Sequence, residues 1–413
     1  MTMRLFALFS LALLFAFCKT TAPNFSKKTD AELRQIADQL AHKYIIFDGH
    51  VDLPYRLKAK NFRLEKEYVG LPLDDPKGDF DVKRAKIGGL SAPFMSIYIP
   101  SDLQKTGREQ AFADSIIRMV TAIVEANPTV FGLGRTTAEV LENFKKGLIS
   151  LPMGMENGCP ILAVGDVARY HRLGIRYVTL THGKDNQICD SSYDTTATWN
   201  GLSPFGEKVV REMNRTGIMV DISHVSDSAF FDVMKLTRVP VIASHSSSRK
   251  FTPGWQRNMN DDQLLALKKN GGVICINFGS TFLDSEVKKA NSANEKAWTA
   301  LLEENKITDE HSPEAEILKA EFKKTHPNTY SDVQKVADHI DHVRSITGID
   351  HIGIGSDFDG VGDSLPTGLK DVSMYPNLIF ELLKRGYSEE DIAKICEKNV
   401  LRVWRATEKA AAN

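Results

Sequence analysis

The sequence predicts a (β/α)8 barrel of the TIM type, on three observations. Short apolar, β-branched runs recur eight times along the chain, most of them closing on a polar residue. Segments with helical spacing separate most of them, and alternation of strand and helix builds a parallel sheet. Six of the eight runs also end in a side chain able to hold a metal or move a proton. Barrel active sites are assembled at that C-terminal end of the strands.

In order, the runs are YIIFDGH (44–50), APFMSIYI (92–99), ISLPMGMEN (149–157) and IRYVTLTH (175–182), then GIMVDISH (217–224), VPVIASH (239–245), GGVICINF (271–278) and HIGIGSDFDG (351–360). Their near-continuous apolar character suits strands covered on both faces. Helical spacing is plainest at 108–127 and 261–270. An open doubly wound sheet satisfies the same alternation, but no G-x-G-x-x-G follows the first run, which weakens a dinucleotide site. The stretch 284–343 breaks the rhythm. It is long, highly charged and carries His311, His326, His339 and His342. It reads as a helical insertion between strands seven and eight, its histidines solvated or packed between helices.

The 413 residues carry 52 Lys+Arg against 53 Asp+Glu, a net charge of −1. A nucleic-acid partner would call for a basic excess, and none is present. Residues 1–17 hold one charge, Arg4, followed by an apolar run from Leu5 to Phe17 broken only by Ser10. Such a run rises roughly 20 Å as a helix, short of a ~30 Å hydrocarbon layer, so it reads as the apolar part of an export signal. Cys18 follows where a bacterial lipoprotein carries its acylated cysteine, although Phe17 stands where a small residue is expected. The organisation expected is a signal peptide and tether over 1–22 and one barrel domain over 23–413. Localisation is then periplasmic or cell-surface, with a membrane tether through Cys18 left open. A Cys159–Cys189 disulfide is also left open, while Cys275 reads as a small buried hydrophobe.

The strand ends carry the chemistry. They present His50 and Asp52, Glu156, His182, His224, His245 and Asp357. One such histidine would be an ordinary structural residue; four in register are not a chance pattern. Three imidazoles with Asp52 and Glu156 suit Zn²⁺, with Co²⁺ or Mn²⁺ as substitutes. Five donors exceed the three of a mononuclear catalytic zinc and point to two ions bridged by a carboxylate. A water shared by such ions loses a proton near neutral pH, so no Ser-His-Asp arrangement is required. The small residues of GMENG (154–158) leave room around Glu156.

DGHVDLPYRL (48–57), GMENG (154–158), LTHGKDN (180–186), VDISHVS (220–226), VIASHSS (241–247), QRNMNDD (256–262) and GIGSDFDGV (353–361) together resemble the renal/membrane dipeptidase family of metallopeptidases. The resemblance runs from about residue 44 to the C-terminus. It implies a barrel with a binuclear zinc centre that cleaves dipeptides, including those with a D-residue at the C-terminal position, in chains that are often homodimers. His50 and Asp52 are then expected on one zinc, His224 and His245 on the other, and Glu156 between them. His182 is expected to polarise the scissile carbonyl, Arg257 to bind the substrate's terminal carboxylate, and Asp357 to receive its amine and pass a proton. Arg249 rivals Arg257, and Asp359 competes with Asp357 but is expected to face away. Asn277 is expected at the same rim, with Lys184 and Asp185 solvated. Another metal-dependent amidohydrolase, acting on lactones, cyclic amides or phosphotriesters, is the alternative. Such enzymes open with His-x-His, where this chain has His50-Val51-Asp52. A binding lipoprotein on a decayed barrel is the non-enzymatic reading, against which all five metal-type donors are retained.

Overall fold

The computed structural model describes residues 25–59, 78–310 and 312–411; the leader with Cys18, and His311, lie outside the described residues. Among the described residues ten strands are formed: β1 (Ile46–Val51), β2 (Leu90–Tyr98), β3 (Phe131–Leu133), β4 (Ile149–Leu151), β5 (Met153–Glu156), β6 (Ile175–Thr179), β7 (Met219–Asp221), β8 (Ile242–Ser246), β9 (Val273–Ile276) and β10 (Ile352–Ile354). Eight of them close a barrel in the order β1-β2-β5-β6-β7-β8-β9-β10, with β10 pairing back to β1 and every pair parallel. The expected (β/α)8 barrel is therefore present, and each expected run supplies one barrel strand.

One run is divided. Residues 149–157 were expected as a single strand, but Pro152 separates β4 from β5. Proline has no N–H to give to a ladder, so the pairing changes partners there. Before it, β4 pairs with β3 as a separate two-stranded sheet; after it, β5 joins β2 in the barrel. The short β3 carries too few residues to show a period of its own.

Residues pointing into the barrel form a compact aromatic floor. The C-terminal helix Asn399–Ala411 lays Trp404 against Phe47 of β1, at 6.4 Å between ring centroids, and Phe94 of β2, at 5.3 Å. Arg402 fastens that helix by donating to the carbonyls of Gly271 and Asp350, just before β9 and β10 begin. The floor thus seals the N-terminal end of the strands and leaves the opposite end for the site.

The charged stretch forms the helices Ser285–Glu304 and Pro313–Thr325, joined by Trp298 packing on Phe322 at 5.5 Å. The insertion ends sooner than expected. Helix Val333–Thr347 packs on β9, β10 and the helices Asp261–Asn270 and Tyr375–Lys384, so it belongs to the barrel's own outer ring. Its His339 is fully buried, accepting from Ser248 N–H at Nδ1 (3.0 Å) and donating from Nε2 to Leu283 O (2.9 Å). His326 lies flat on Phe322, and His342 pairs with Asp261 at 2.8 Å, so all three described histidines of the stretch are structural. Cys159 and Cys189 are buried free thiols, so the disulfide left open by the sequence is not formed. No helix among the described residues is long and apolar enough to cross a membrane.

Trp404→Ala should remove the seal and cost about 3–5 kcal/mol, as aromatic truncation in a packed core does. Chemical denaturation of both proteins measures this; a loss under about 1 kcal/mol would contradict a floor that depends on Trp404.

Candidate metal centre and substrate cavity

The C-terminal ends of the strands bring the predicted donors onto one carboxylate. Glu156, the last residue of β5, is 4% exposed and stands among four imidazoles. Its Oε2 lies 3.3 Å from His50 Nε2, while its Oε1 lies 3.2 Å from both His224 Nε2 and His245 Nε2 and 3.7 Å from His182 Nε2. The two oxygens thus face two different sets of donors. On the first side, Asp52 Oδ2 is 3.3 Å from His50 Nε2. Ligand-type atoms gather in three overlapping groups: His50, Glu156 and His245; Glu156, His182 and His224; His50, Asp52 and Asp357.

Loop geometry aims these side chains. Asn157, His224 and Asp357 all adopt left-handed backbone (φ 75°, 67° and 63°), which turns the chain sharply off β5, β7 and β10. Non-glycine residues in that region are uncommon and concentrate at functional sites. The ends of β1 and β10 are also tied: Asp52 N–H donates to Phe358 O (2.8 Å) and Asp357 N–H to His50 O (3.1 Å). This places Asp357 beside Asp52. Gly360 completes that corner, since a Cβ there would lie 2.2 Å from Asp52 Oδ2 and 2.4 Å from Asp357 Oδ1.

Buried partners behind the histidines decide which nitrogen faces inward. Tyr177 gives its one hydroxyl proton to Gly49 O (3.0 Å), so its oxygen must accept from His50 Nδ1–H (2.8 Å). Ser244 gives its proton to Asp221 Oδ2 (2.6 Å), so it accepts from His245 Nδ1–H (2.7 Å). Both Nε2 atoms therefore keep their lone pairs toward the cluster, the arrangement expected behind metal ligands. Asp221 is held in turn by Thr179 Oγ1 and by the N–H groups of Ser223 and Ser244. Asp48, equally buried, accepts from His50 N, Ser356 N and Tyr375 Oη.

The electrostatics match a centre built for cations. Burial holds His224 and His245 well below the ordinary imidazole pKa, with the Arg257 charge and the neighbouring histidines adding to it, so both are neutral. His182 is also lowered, chiefly by burial. Burial opposes charge on His50 too, yet Tyr177, Glu156 and Asp52 draw its pKa well above the usual value, the same pull they would exert on a metal cation at Nε2. Burial alone would raise Glu156, but the imidazoles gathered on its two oxygens, His50 foremost, keep it well below the ordinary range. The nitrogens His224 Nε2 and His245 Nε2 stand only 2.8 Å apart, and His50 Nε2 and Asp52 Oδ1 are buried with no hydrogen-bond partner. Unpaired buried lone pairs are costly, and converging nitrogen and carboxylate lone pairs fit divalent metal.

Above this floor lies a cavity of about 640 Å³, lined by every predicted site residue except His50, which sits beneath it. Arg257 is 2% exposed and donates to Ser246 Oγ (2.9 Å), His245 O (2.8 Å) and His224 Nε2 (3.0 Å). Its rival Arg249 is locked away on Asp227 through both terminal nitrogens and is absent from the lining. On the other side Asp357 accepts from Asn277 Nδ2 (2.8 Å), and burial beside Asp52 and Glu156 pushes its carboxyl up to about 7. Asp359 reaches the cavity lining, but its carboxylate pairs with Arg56 at 3.0 Å and accepts from Asp79 N–H. Lys184 is exposed as expected; Asp185 is not a solvated bystander, since it accepts from Ser191 N, Thr198 N and Thr198 Oγ1 and so shapes the loop after β6.

Sequence reading missed the supports Asp48, Tyr177 and Asp221. The signal for two of them was available: an acid inside an apolar strand, two or three residues before a histidine, in DGH and DISH. It also misjudged GMENG. Gly154 makes room for a supporting ring, because a Cβ there would lie 1.9 Å from Tyr177 Cζ. Gly154→Ala should therefore displace Tyr177 and cost about 1–3 kcal/mol of stability, the usual penalty of overpacking. Denaturant titration checks it, and an unchanged midpoint would show that the ring is not seated as described.

Comparison with known proteins converges on one group. The profile for membrane dipeptidases, Peptidase family M19, matches residues 34–413. The dipeptidase tcpJ of Claviceps purpurea is 33% identical over 375 residues, covering 89% of this chain and 78% of its own. Among solved structures, the probable dipeptidase PvdM from Pseudomonas aeruginosa superposes with a TM-score of 0.76 at 25% identity, over 92% of this chain and all of that one. A metallopeptidase from Rhodobacter sphaeroides, liganded with a phosphinate mimic of the dipeptide L-Ala-D-Ala, gives 0.72 at 25% identity over 88% and 99% of the two chains. A family match across nearly the whole chain, on a barrel whose mouth gathers histidines around one carboxylate, means that this chain belongs to the membrane dipeptidase family, Peptidase family M19, and is a metal-dependent dipeptidase.

Proposed function

We propose that the enzyme holds two zinc ions and hydrolyses free dipeptides, L-Xaa-D-Xaa among them, by measuring both charged ends of the substrate. The observation that carries this reading is the division of Glu156, one oxygen toward His50 and the other toward His224 and His245. His50 and Asp52 would hold one ion, His224 and His245 the other, with Glu156 shared. Such ions, when bound, supply Lewis acidity: they lower the pKa of water and polarise a carbonyl.

The chain's own residues do the rest. Arg257 presents a planar fork suited to a carboxylate, and Asp357, across the cavity, takes the substrate's ammonium. Two opposed charges at fixed separation admit a dipeptide and exclude a longer peptide. His182, neutral and on the cavity wall, donates an N–H to the carbonyl oxygen as negative charge grows there. The peptide C–N bond breaks, water oxygen joins the carbonyl carbon, and Asp357 carries the water's proton to the leaving amine. A carboxyl drawn up toward neutrality by its surroundings is matched to such a transfer. A clamp that reads only terminal charges does not fix the handedness of the second residue, and the Rhodobacter sphaeroides protein was crystallised with an L-Ala-D-Ala mimic. The clamp also disfavours lactone or phosphotriester hydrolysis, because neither substrate offers both charges.

Glu156→Gln should lose bound metal and turnover together, as measured by elemental analysis and a dipeptide assay. Asp357→Asn should keep its metal but lose about 10²-fold or more in kcat, together with the acid limb of the pH profile. That limb is a fall in kcat/KM as pH drops and the carboxylate is protonated; cations at the neighbouring donors draw its midpoint to pH 7 or below. Arg257→Met should raise KM for every dipeptide. An active preparation with metal near zero, or equal rates on dipeptides and tripeptides, would overturn the mechanism.

We further propose that the leader exports the chain and that Cys18 is its acylation site. Palmitate labelling in a bacterial host should mark the native chain and spare Cys18→Ser; equal labelling, or none in either, would refute the anchor.

A further inference from the structure

We propose that Phe282 is the wall met by the side chain of the substrate's C-terminal residue, giving the enzyme a preference for bulky apolar residues at that position. The inference rests on the reading of Arg257 as the carboxylate anchor. In an amino acid the side chain and the carboxylate share one Cα, so whatever flanks the carboxylate anchor also flanks the side chain. Phe282 is that neighbour: its ring centroid lies 5.3 Å from Arg257 Cζ, and both residues line the cavity.

The wall is rigid and fixed to the anchor. Asn258, the residue after Arg257, donates from Nδ2 to Phe282 O at 2.8 Å, so the anchor loop and the wall move as one. Behind the ring, Trp255 stacks nearly parallel to it, with centroids 5.1 Å apart and 19° between planes. Lys288, from the first helix of the insertion, places Nζ 3.5 Å over the Trp255 ring. Toward the amine end the apolar surface continues through Val361. A Cβ on Gly279 would lie within 3 Å of both Phe282 and Val361, so these two side chains converge. The insertion, none of whose described residues joins the metal centre, thereby braces the surface that selects the substrate. Apolar side chains against such a wall bind by surface removed from water, and each added methylene discriminates by roughly 10-fold or more.

The test uses two dipeptide series on the metal-loaded enzyme, one varying the C-terminal residue through Gly, Ala, Leu and Phe, the other varying the N-terminal residue in the same way. The native enzyme should favour Leu and Phe over Gly in the first series by about 10–100-fold in kcat/KM. Phe282→Ala should cut that ratio about tenfold, carried by KM, while moving the ratio in the second series far less. Trp255→Leu, which keeps the ring but removes its brace, should cut it by a smaller factor. Circular dichroism and metal content establish that each variant is folded and loaded; if Phe282→Ala does not fold, Phe282→Leu should show an intermediate loss. An unchanged ratio in a folded Phe282 variant, or a change confined to the N-terminal series, overturns the proposal. Arg257→Met separates the two ideas: if it fails to raise KM across both series, the anchor reading falls, whereas the Phe282 ratio reports on the wall alone.

Discussion

One carboxylate among four imidazoles is the constraint around which this molecule is arranged. Glu156 is nearly sealed from water, and a lone buried carboxylate would be costly to keep charged. Its surroundings keep it charged by converging nitrogens on both oxygens, and those nitrogens come from β1, β8 and the loops after β6 and β7. No single hairpin or helix could deliver them. A closed parallel barrel can, because all of its strands end at one rim. The sealed floor of Phe47, Phe94 and Trp404 and the open mouth are therefore two ends of one solution.

Behind the donors stands a second layer whose function is orientation. Tyr177 and the Ser244–Asp221 pair turn two imidazoles so that their lone pairs point inward, and Asp48 ties the end of β1 to Ser356 and Tyr375. The same layer is embedded in strand pairing, since Asp221 and Ser244 sit on adjacent strands β7 and β8. Damage to packing there reaches the chemistry without touching any donor. Rigidity of this kind suits a reaction in which charge develops at a fixed place and the stabilising groups need not move to meet it.

The barrel and its rim were legible because both rest on local sequence. Apolar runs report strands, and the polar residue that closes most of them reports the rim, so His50, Glu156, His245 and the others could be placed without coordinates. What stayed hidden depends on distant pairings. Nothing local marks Pro152 as the point where one run changes sheets, because that is decided by whether β3 or β2 lies alongside. Tyr177 reads as one more strand aromatic until Gly154 on the neighbouring strand is seen to make room for its ring. The choice between Arg257 and Arg249 turns on Asp227, which captures one of them from a helix start far from either in chemistry but close in space. The end of the insertion could not be read either, since Val333–Thr347 is as polar on its outer face as the helices before it.

The seal formed by Trp404 sets the order in which this chain can become a protein. Its partner Phe47 emerges from the ribosome early and Trp404 late, and the pairing of β10 with β1 that closes the barrel is separated almost as widely. Contacts between such remote parts of a sequence slow folding and leave partly built sheets with open edges. Until that late helix arrives, β1 and β2 have an uncovered aromatic surface and a free edge strand. A nascent chain of this enzyme therefore keeps that surface and edge exposed until synthesis is nearly complete, and truncations near the C-terminus should be cleared by proteolysis, not accumulated as inactive enzyme.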